Sequence, residues 1–77
     1  MIKDIVLKDV KDAEALNLYA TQFYYDTYVH VRNKAIMVDA KSLLGLISLV
    51  GQDNLIYVVP DDVDPKQAFK GLKKFAA

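Results

Sequence analysis

The stretch Thr27-Tyr-Val-His-Val-Arg32 alternates apolar side chains with polar or amphipathic ones. Val29 and Val31 occupy every second position, which is the period of a half-buried β-strand. Asn33-Lys34 comes next and predicts a hairpin turn, although Asn-Lys leaves the turn type open. Residues 35–38 are then expected to return as the second strand of the hairpin. This pattern predicts a sheet with one face on a core and one face toward water.

A strand and a helix are predicted before the hairpin. The strand is assigned, with imperfect alternation, to four apolar residues near the start: Ile2, Ile5, Val6 and Leu7. Asp12 is the expected N-cap of a helix over residues 12–24. Its apolar residues recur at helical spacing and form one stripe toward a core: Ala15, Leu16, Tyr19, Ala20 and Phe23.

Two helices and a strand are predicted after the hairpin. Residues 42–49 indicate a short helix of about two turns, and residues 55–59 are rich in residues that favour strands. The last helix has the clearest start, because Asp64 caps it and Pro65 takes its first position. Gln67 would complete a capping box with the same aspartate.

The predicted element order is β-α-β-β-α-β-α in a single domain over residues 1–77. Helices on one face of a four-stranded antiparallel sheet make an α+β two-layer, open-faced sandwich. The other face of the sheet is expected to be partly wet and to carry Tyr28, His30, Arg32 and Tyr57.

Composition excludes several classes of function. The chain has 77 residues, one histidine, no cysteine and a formal net charge of zero. Bulk electrostatic binding of nucleic acid normally needs a basic protein. Thiolate chemistry and cysteine-based zinc sites are ruled out, as is any site that needs two histidines. No signal peptide or membrane-spanning run is visible, so a soluble cytoplasmic protein without a cofactor is expected.

Residues 39–49, Asp39-Ala-Lys-Ser-Leu-Leu-Gly-Leu-Ile-Ser-Leu49, resemble the second-helix segment of HPr, the phosphocarrier of the bacterial sugar phosphotransferase system. In Gram-positive members that segment typically reads Lys-Ser-Ile-Met-Gly-Val-Met-Ser-Leu. Five positions are identical: Lys41, Ser42, Gly45, Ser48 and Leu49. Four more are conservative replacements: Leu43, Leu44, Leu46 and Ile47. The predicted element order is also that of the HPr fold. The motif covers about eleven residues, whereas the topology covers nearly the whole chain.

The phosphocarrier histidine of that family has no counterpart here. HPr carries a Gly-Leu/Ile-His-Ala/Thr-Arg-Pro motif at the start of its first helix, and the histidine takes the phosphoryl group. Counting back from Ser42 without gaps places Lys11 at the histidine position, with Ala13 and Glu14 where arginine and proline are expected. Lysine is protonated at pH 7 unless it is deeply buried. The resemblance therefore implies a divergent member that is neither a histidine phosphocarrier nor an enzyme.

The resemblance also implies a regulatory site on the second helix. In Gram-positive HPr, and in a paralogue that lacks the active histidine, a dedicated kinase phosphorylates the serine that Ser42 matches. The partner-binding residues implied with it are Lys41, Leu43, Leu44 and Ile47. The implied partners are an HPr-kinase-like enzyme and a transcriptional regulator or metabolic enzyme.

Each of these features also has a purely structural interpretation. Ser42 is a preferred residue for capping a helix, and the neighbouring leucines could belong to the core. Tyr24, Tyr25 and Tyr28 could pack with only their hydroxyls at the surface, or could form an interface. A self-associating module would use the apolar helix and these tyrosines to form a homodimer without phosphorylation.

The remaining polar residues are expected to be structural. His30 should lie on the wetter sheet face and be inert. The aspartates at positions 61, 62 and 64 make a poor calcium site, because the loop is short and lacks a glutamate and a glycine. Four lysines of the last helix form a solvated face rather than a nucleic-acid site: Lys66, Lys70, Lys73 and Lys74.

Overall fold

A four-stranded antiparallel sheet with helices forms the fold, and the computed structural model describes residues 1–76. The strands are β1 (Ile2–Ile5), β2 (Tyr28–Val31), β3 (Ile36–Asp39) and β4 (Leu55–Val58). The helices are α1 (Val10–Thr21), α2 (Leu43–Ile47) and α3 (Pro65–Phe69), and α3 continues as a 3-10 helix over Lys70–Phe75. The α+β fold class predicted from the sequence is confirmed.

The strands lie in the order β1-β4-β2-β3, so β1 and β3 are the edges of the sheet. The predicted hairpin is formed by β2 and β3. Val29 of β2 pairs with Val38 of β3, and Asn33 in the turn takes the left-handed conformation at φ 70°. Asparagine tolerates this conformation better than most residues. Turn and alternation together therefore fix which side chains of the hairpin point to the helices.

The inner face of the sheet carries the core. Val29 and Val31 are buried there, while Tyr28 and His30 on the opposite face are half-buried. Each helix contributes to the same apolar cluster, whose largest fully buried side chains include Leu16, Leu46, Leu72 and Phe75.

One sheet assignment from the sequence is wrong: Tyr57 lies on the inner face rather than the wet one. The register places Tyr57 between Lys3 of β1 and Val29 of β2, and its side chain is fully buried. All four residues of β4 are apolar or aromatic, so the sequence has no alternation there that would show which side chains face the core. Ile56 and Val58 face outward instead, beside His30 and Tyr28.

Helix α1 begins earlier and ends earlier than predicted. Its N-cap is Asp9, whose carboxylate accepts from Asp12 N at 3.0 Å. Asp12 therefore lies in the first turn and accepts from Lys8 N at 2.8 Å. The helix ends at Thr21, and the aromatic residues that follow stack on one another, with the rings of Phe23 and Tyr25 5.1 Å apart.

The last helix starts as predicted but changes its winding. Asp64 accepts from Lys66 N at 3.0 Å, and Pro65 occupies the first turn. The reciprocal bond of a capping box, in which Asp64 N would donate to Gln67 Oε1, is not seen among residues 1–76. After Phe69 the chain tightens into the 3-10 helix, which buries Leu72 and Phe75 but leaves Ala76 exposed, contrary to the predicted apolar face.

Candidate functional site

Ser42 lies at the N-cap of α2 with an exposed side chain. Its Oγ accepts from Gly45 N at 3.3 Å, and its own backbone N–H donates to Asp39 O at 2.9 Å. An N-cap oxygen satisfies one of the backbone donors that the first turn leaves unpaired. The Ser42 hydroxyl is therefore held in place by α2 while remaining accessible from solvent.

Gly45 lets α2 lie close to the sheet. A Cβ on this residue would lie 3.1 Å from Cβ of Val38 and 3.3 Å from Oγ of Ser42. Contacts this short force neighbouring atoms apart, since packed carbon atoms prefer about 3.5–4.0 Å. The absence of a side chain at Gly45 thus serves both the packing of α2 against β3 and the cap at Ser42.

The side chains around Ser42 differ widely in exposure. Leu44 is 81% exposed and Leu43 is 37% exposed. Lys41 and Ile47 are half-buried, and Ile47 packs against the core. The four residues implied as a docking patch therefore present one protruding leucine, flanked by side chains that are only partly accessible. We call this group, with Ser42, the α2 patch.

Lys11 lies on the exposed surface of α1, one residue after the helix begins. The two aspartates at this end, Asp9 and Asp12, already bind the free backbone N–H groups of Asp12 and Lys8. A helix N-terminus attracts phosphate only when those N–H groups are available. The two carboxylates place negative charge at this end of α1, which disfavours a bound anion there.

His30 and Arg32 each lie within bonding distance of another group of the protein. The ring Nε2 of His30 lies 2.9 Å from Lys34 O, which engages one ring nitrogen with the backbone. Arg32 Nη2 donates to Asp4 Oδ1 at 2.6 Å, so this guanidinium is paired. A cleft of about 730 Å³ opens beside the pair, toward Asp53 and Asn54. Its only arginine is neutralised, and its other polar groups are aspartates and amides.

An aromatic cluster lies where α1 passes into β2. Tyr24 is 95% exposed and makes an edge contact with Tyr25, with ring centroids 5.5 Å apart. Tyr19 donates through its hydroxyl to Ala68 O at 2.6 Å and ties α1 to α3. Burial, and then the neighbouring tyrosines, raise the pKa of Tyr25. The cluster is a packed layer with a single protruding ring.

Tyr57 and Thr27 form a buried polar pair that the sequence did not indicate. Neither Tyr57 Oη nor Thr27 Oγ1 has a hydrogen-bond partner of good geometry among residues 1–76. Burial raises the pKa of Tyr57 to about 12, an effect that the adjacent Thr27 hydroxyl partly offsets. Both hydroxyls thus lie in the core without a well-formed hydrogen bond.

Residues 1–76 contain no group of three or more acidic, histidine or cysteine side chains able to hold a metal. Over the same residues, no helix is long and apolar enough to cross a bilayer. Comparison of the chain with protein-family models, curated proteins and solved structures gives no match.

Proposed function

We propose that this chain is an HPr-like regulatory protein of the cytoplasm, without phosphocarrier or enzymatic activity, that is phosphorylated on Ser42. The observation that carries the proposal is an accessible serine hydroxyl next to a leucine that is 81% exposed. A kinase needs both an accessible hydroxyl and a surface to bind. The eleven-residue resemblance around Ser42 and the observed element order support the same proposal.

The start of α1 supports the proposed loss of the carrier function. The Lys11 side chain, at the position of the family's histidine, is exposed to water on the surface of α1. The carboxylates of Asp9 and Asp12 occupy the end of α1 where an incoming phosphoryl group would need unpaired N–H donors. The missing histidine and the two carboxylates support the proposal that the chain does not carry a phosphoryl group at this end of α1.

Phosphorylation of Ser42 would change the charge of the α2 patch. A phosphoserine carries about 1.5 to 2 negative charges at pH 7, placed beside Leu43, Leu44 and the Lys41 ammonium. The helix dipole stabilises negative charge at this end of α2. A partner that docks on Leu44 would then distinguish the two forms by charge complementarity, which is the proposed switch for a transcriptional regulator or a metabolic enzyme.

The direct test is incubation with HPr kinase and ATP, followed by intact-mass measurement. One added phosphate is expected on the native chain and on S48A, and none on S42A. Ser48 is a matched control because it is the other exposed serine of the same segment. No phosphate on the native chain, beside an active HPr control, would refute the proposal.

A second measurement tests the docking role of the α2 patch. L44S should raise the KM of the kinase reaction, since Leu44 would contact the enzyme. L18S is the control, because Leu18 is 66% exposed on α1 outside the patch. Equal kinase kinetics for L44S and the native chain would exclude Leu44 from docking.

Self-association without phosphorylation is the alternative function, and Tyr24 is the observation in its favour. Its ring is 95% exposed, and tyrosine is enriched in protein interfaces. This homodimer would bury Tyr24 together with Leu44 of α2. Y24S and L44S should then both weaken association in sedimentation experiments, while a strictly monomeric native chain would exclude it.

A further inference from the structure

Residues 39–42 form the turn that joins β3 to α2 and ends at Ser42. Ser42 N donates to Asp39 O at 2.9 Å across this turn. The Asp39 side chain adds a second bond, because its Oδ1 accepts from Lys41 N at 2.9 Å. An aspartate that bonds the backbone two residues further on stabilises a turn. Asp39 therefore holds the turn twice, through its carbonyl group and through its carboxylate.

The residue between these two bonds is anchored to the rest of the protein. Ala40 is fully buried, and its N–H donates to Thr27 O at 2.9 Å. Its carbonyl accepts from Asn17 Nδ2 of α1 at 3.2 Å. Because β2 and α1 fix Ala40 in this way, the peptide groups of Lys41 and Ser42 are the part of the turn that depends on Asp39.

Lys41 N depends on Asp39 alone. Among residues 1–76, the Asp39 carboxylate is the one hydrogen-bond acceptor of this N–H. Hydrogen bonds to an ionised acceptor are stronger than those between neutral groups. Without the carboxylate, the peptide group between Lys41 and Ser42 can adopt other orientations, and the Ser42 hydroxyl moves with it.

The helix holds the same hydroxyl less tightly than the turn does. Ser42 Oγ accepts from Gly45 N at 3.3 Å, which is longer than the usual range of about 2.7–3.2 Å for an N–H···O bond. The bond from Lys41 N to Asp39 Oδ1, at 2.9 Å, lies within that range. Asp39 therefore contributes more than the helix cap to the position of Ser42.

Position matters for the reaction proposed at Ser42. The serine oxygen would bond to the γ-phosphorus of ATP, its proton would pass to a base of the kinase, and the bond from that phosphorus to ADP would break. The attacking and leaving oxygens must lie roughly in line. A misplacement of about 1 Å can lower such a rate about 100-fold. A serine that is held before it meets the kinase is thus a better acceptor.

We propose that Asp39 is a positioning residue for the phosphorylation of Ser42. Its carboxylate fixes the peptide group before Ser42 and so presents the hydroxyl, without touching the transferred phosphoryl group. This inference rests on the proposed function, since it concerns the same serine. Leu44 would dock the kinase, whereas Asp39 would align the acceptor, so the two residues should affect different kinetic constants.

Kinase kinetics of Asp39 variants test the proposal. D39A loses the acceptor for Lys41 N and should lower kcat about fivefold, the population change expected from one lost hydrogen bond. Its KM should not change, because Leu44 is still present. D39N keeps an oxygen acceptor and should restore most of the rate. D62A is the control, because Asp62 is exposed and makes no hydrogen bond or ion pair among residues 1–76.

Amide exchange measures the same bond without a kinase. The Lys41 N–H should exchange about fivefold faster in D39A than in the native chain, and D39N should resemble the native chain. Both variants should fold, because the Asp39 side chain is exposed. Unchanged Lys41 exchange in D39A shows that the carboxylate does not hold the turn and overturns the proposal, whatever the kinase does.

The kinetic outcomes separate this proposal from phosphorylation itself. If D39A is phosphorylated as fast as the native chain, Ser42 remains the kinase site but Asp39 does not position it. If D39N is as slow as D39A, or if D39A changes KM alone, the kinase contacts the carboxylate directly and the positioning role is wrong. A native chain that takes no phosphate refutes the proposed function and this inference together.

Discussion

The ring of Tyr19 lies directly over the backbone of Gly71, at a place where no other residue fits. A Cβ on Gly71 would overlap Cε1 of Tyr19 and would lie 2.9 Å from Cδ1. The hydroxyl of the same tyrosine donates to Ala68 O at 2.6 Å. The ring is thus fixed at its far end and cannot swing away without losing that bond.

G71A should therefore destabilise the fold by about 1–3 kcal/mol, the usual cost of overpacking a well-packed contact. Chemical denaturation of G71A and the native chain measures this difference. In a Y19A background the same substitution should cost much less, since no ring remains to be displaced. An equal cost in both backgrounds would show that the contact is not responsible.

Stability should fall at alkaline pH because Tyr57 holds its proton in the folded chain. Tyrosine ionises near pH 10 when unfolded, whereas burial raises the pKa of Tyr57 to about 12. Stabilisation is full below about pH 10 and is lost as pH rises toward 12, by roughly 2 kcal/mol. Urea unfolding at pH 9 and pH 11.5 measures the loss. Y57F should show a smaller drop than the native chain, and an identical drop would exclude this residue as the cause.

Removing both hydroxyls of the buried pair should cost little at pH 7. Neither Thr27 Oγ1 nor Tyr57 Oη is well hydrogen-bonded, and both are buried. Replacing two such groups by apolar ones of the same shape is nearly neutral or stabilising. T27V/Y57F should therefore unfold within about 1 kcal/mol of the native chain. A larger loss would mean that the two hydroxyls do bond to each other or to water.

Loss of the Asp9 cap should weaken α1. D9A removes the acceptor for Asp12 N and should cost about 1 kcal/mol, the typical value for an N-cap. D62A is the control, because Asp62 is exposed and makes no hydrogen bond or ion pair among residues 1–76. In thermal unfolding, the midpoint temperature should fall for D9A and should not change for D62A. Equal midpoints for the two variants would contradict the assigned cap.

Features set by neighbouring residues could be predicted from the sequence. The caps at Ser42 and Asp64 and the hairpin turn at Asn33 depend on a few adjacent positions, and the structure has all three. The N-cap of α1 was placed three residues late, since two aspartates three apart both fit that role. The Asp-x-x-Asp spacing was the available signal for the earlier start.

Features that depend on residues far apart in the sequence could not be predicted from local sequence patterns. Tyr57 was assigned to the wrong face because every residue of β4 is apolar or aromatic, and the register with β1 and β2 decides the orientation. For the candidate site, the sequence identified Ser42 and Leu44 but did not show what fraction of each side chain is exposed. That depends on how α2 packs against β3, where Gly45 meets Val38.

The contact of Phe75 and Ala76 with β1 joins the last described turn of the chain to its first strand. Phe75 is also one of the largest fully buried side chains. Loss of a buried phenylalanine side chain typically costs about 3–5 kcal/mol, and a small domain has only about 5–15 kcal/mol of stability in total. A chain shortened before Phe75 is therefore expected to lose much of its folding stability, because the 3-10 helix belongs to the core.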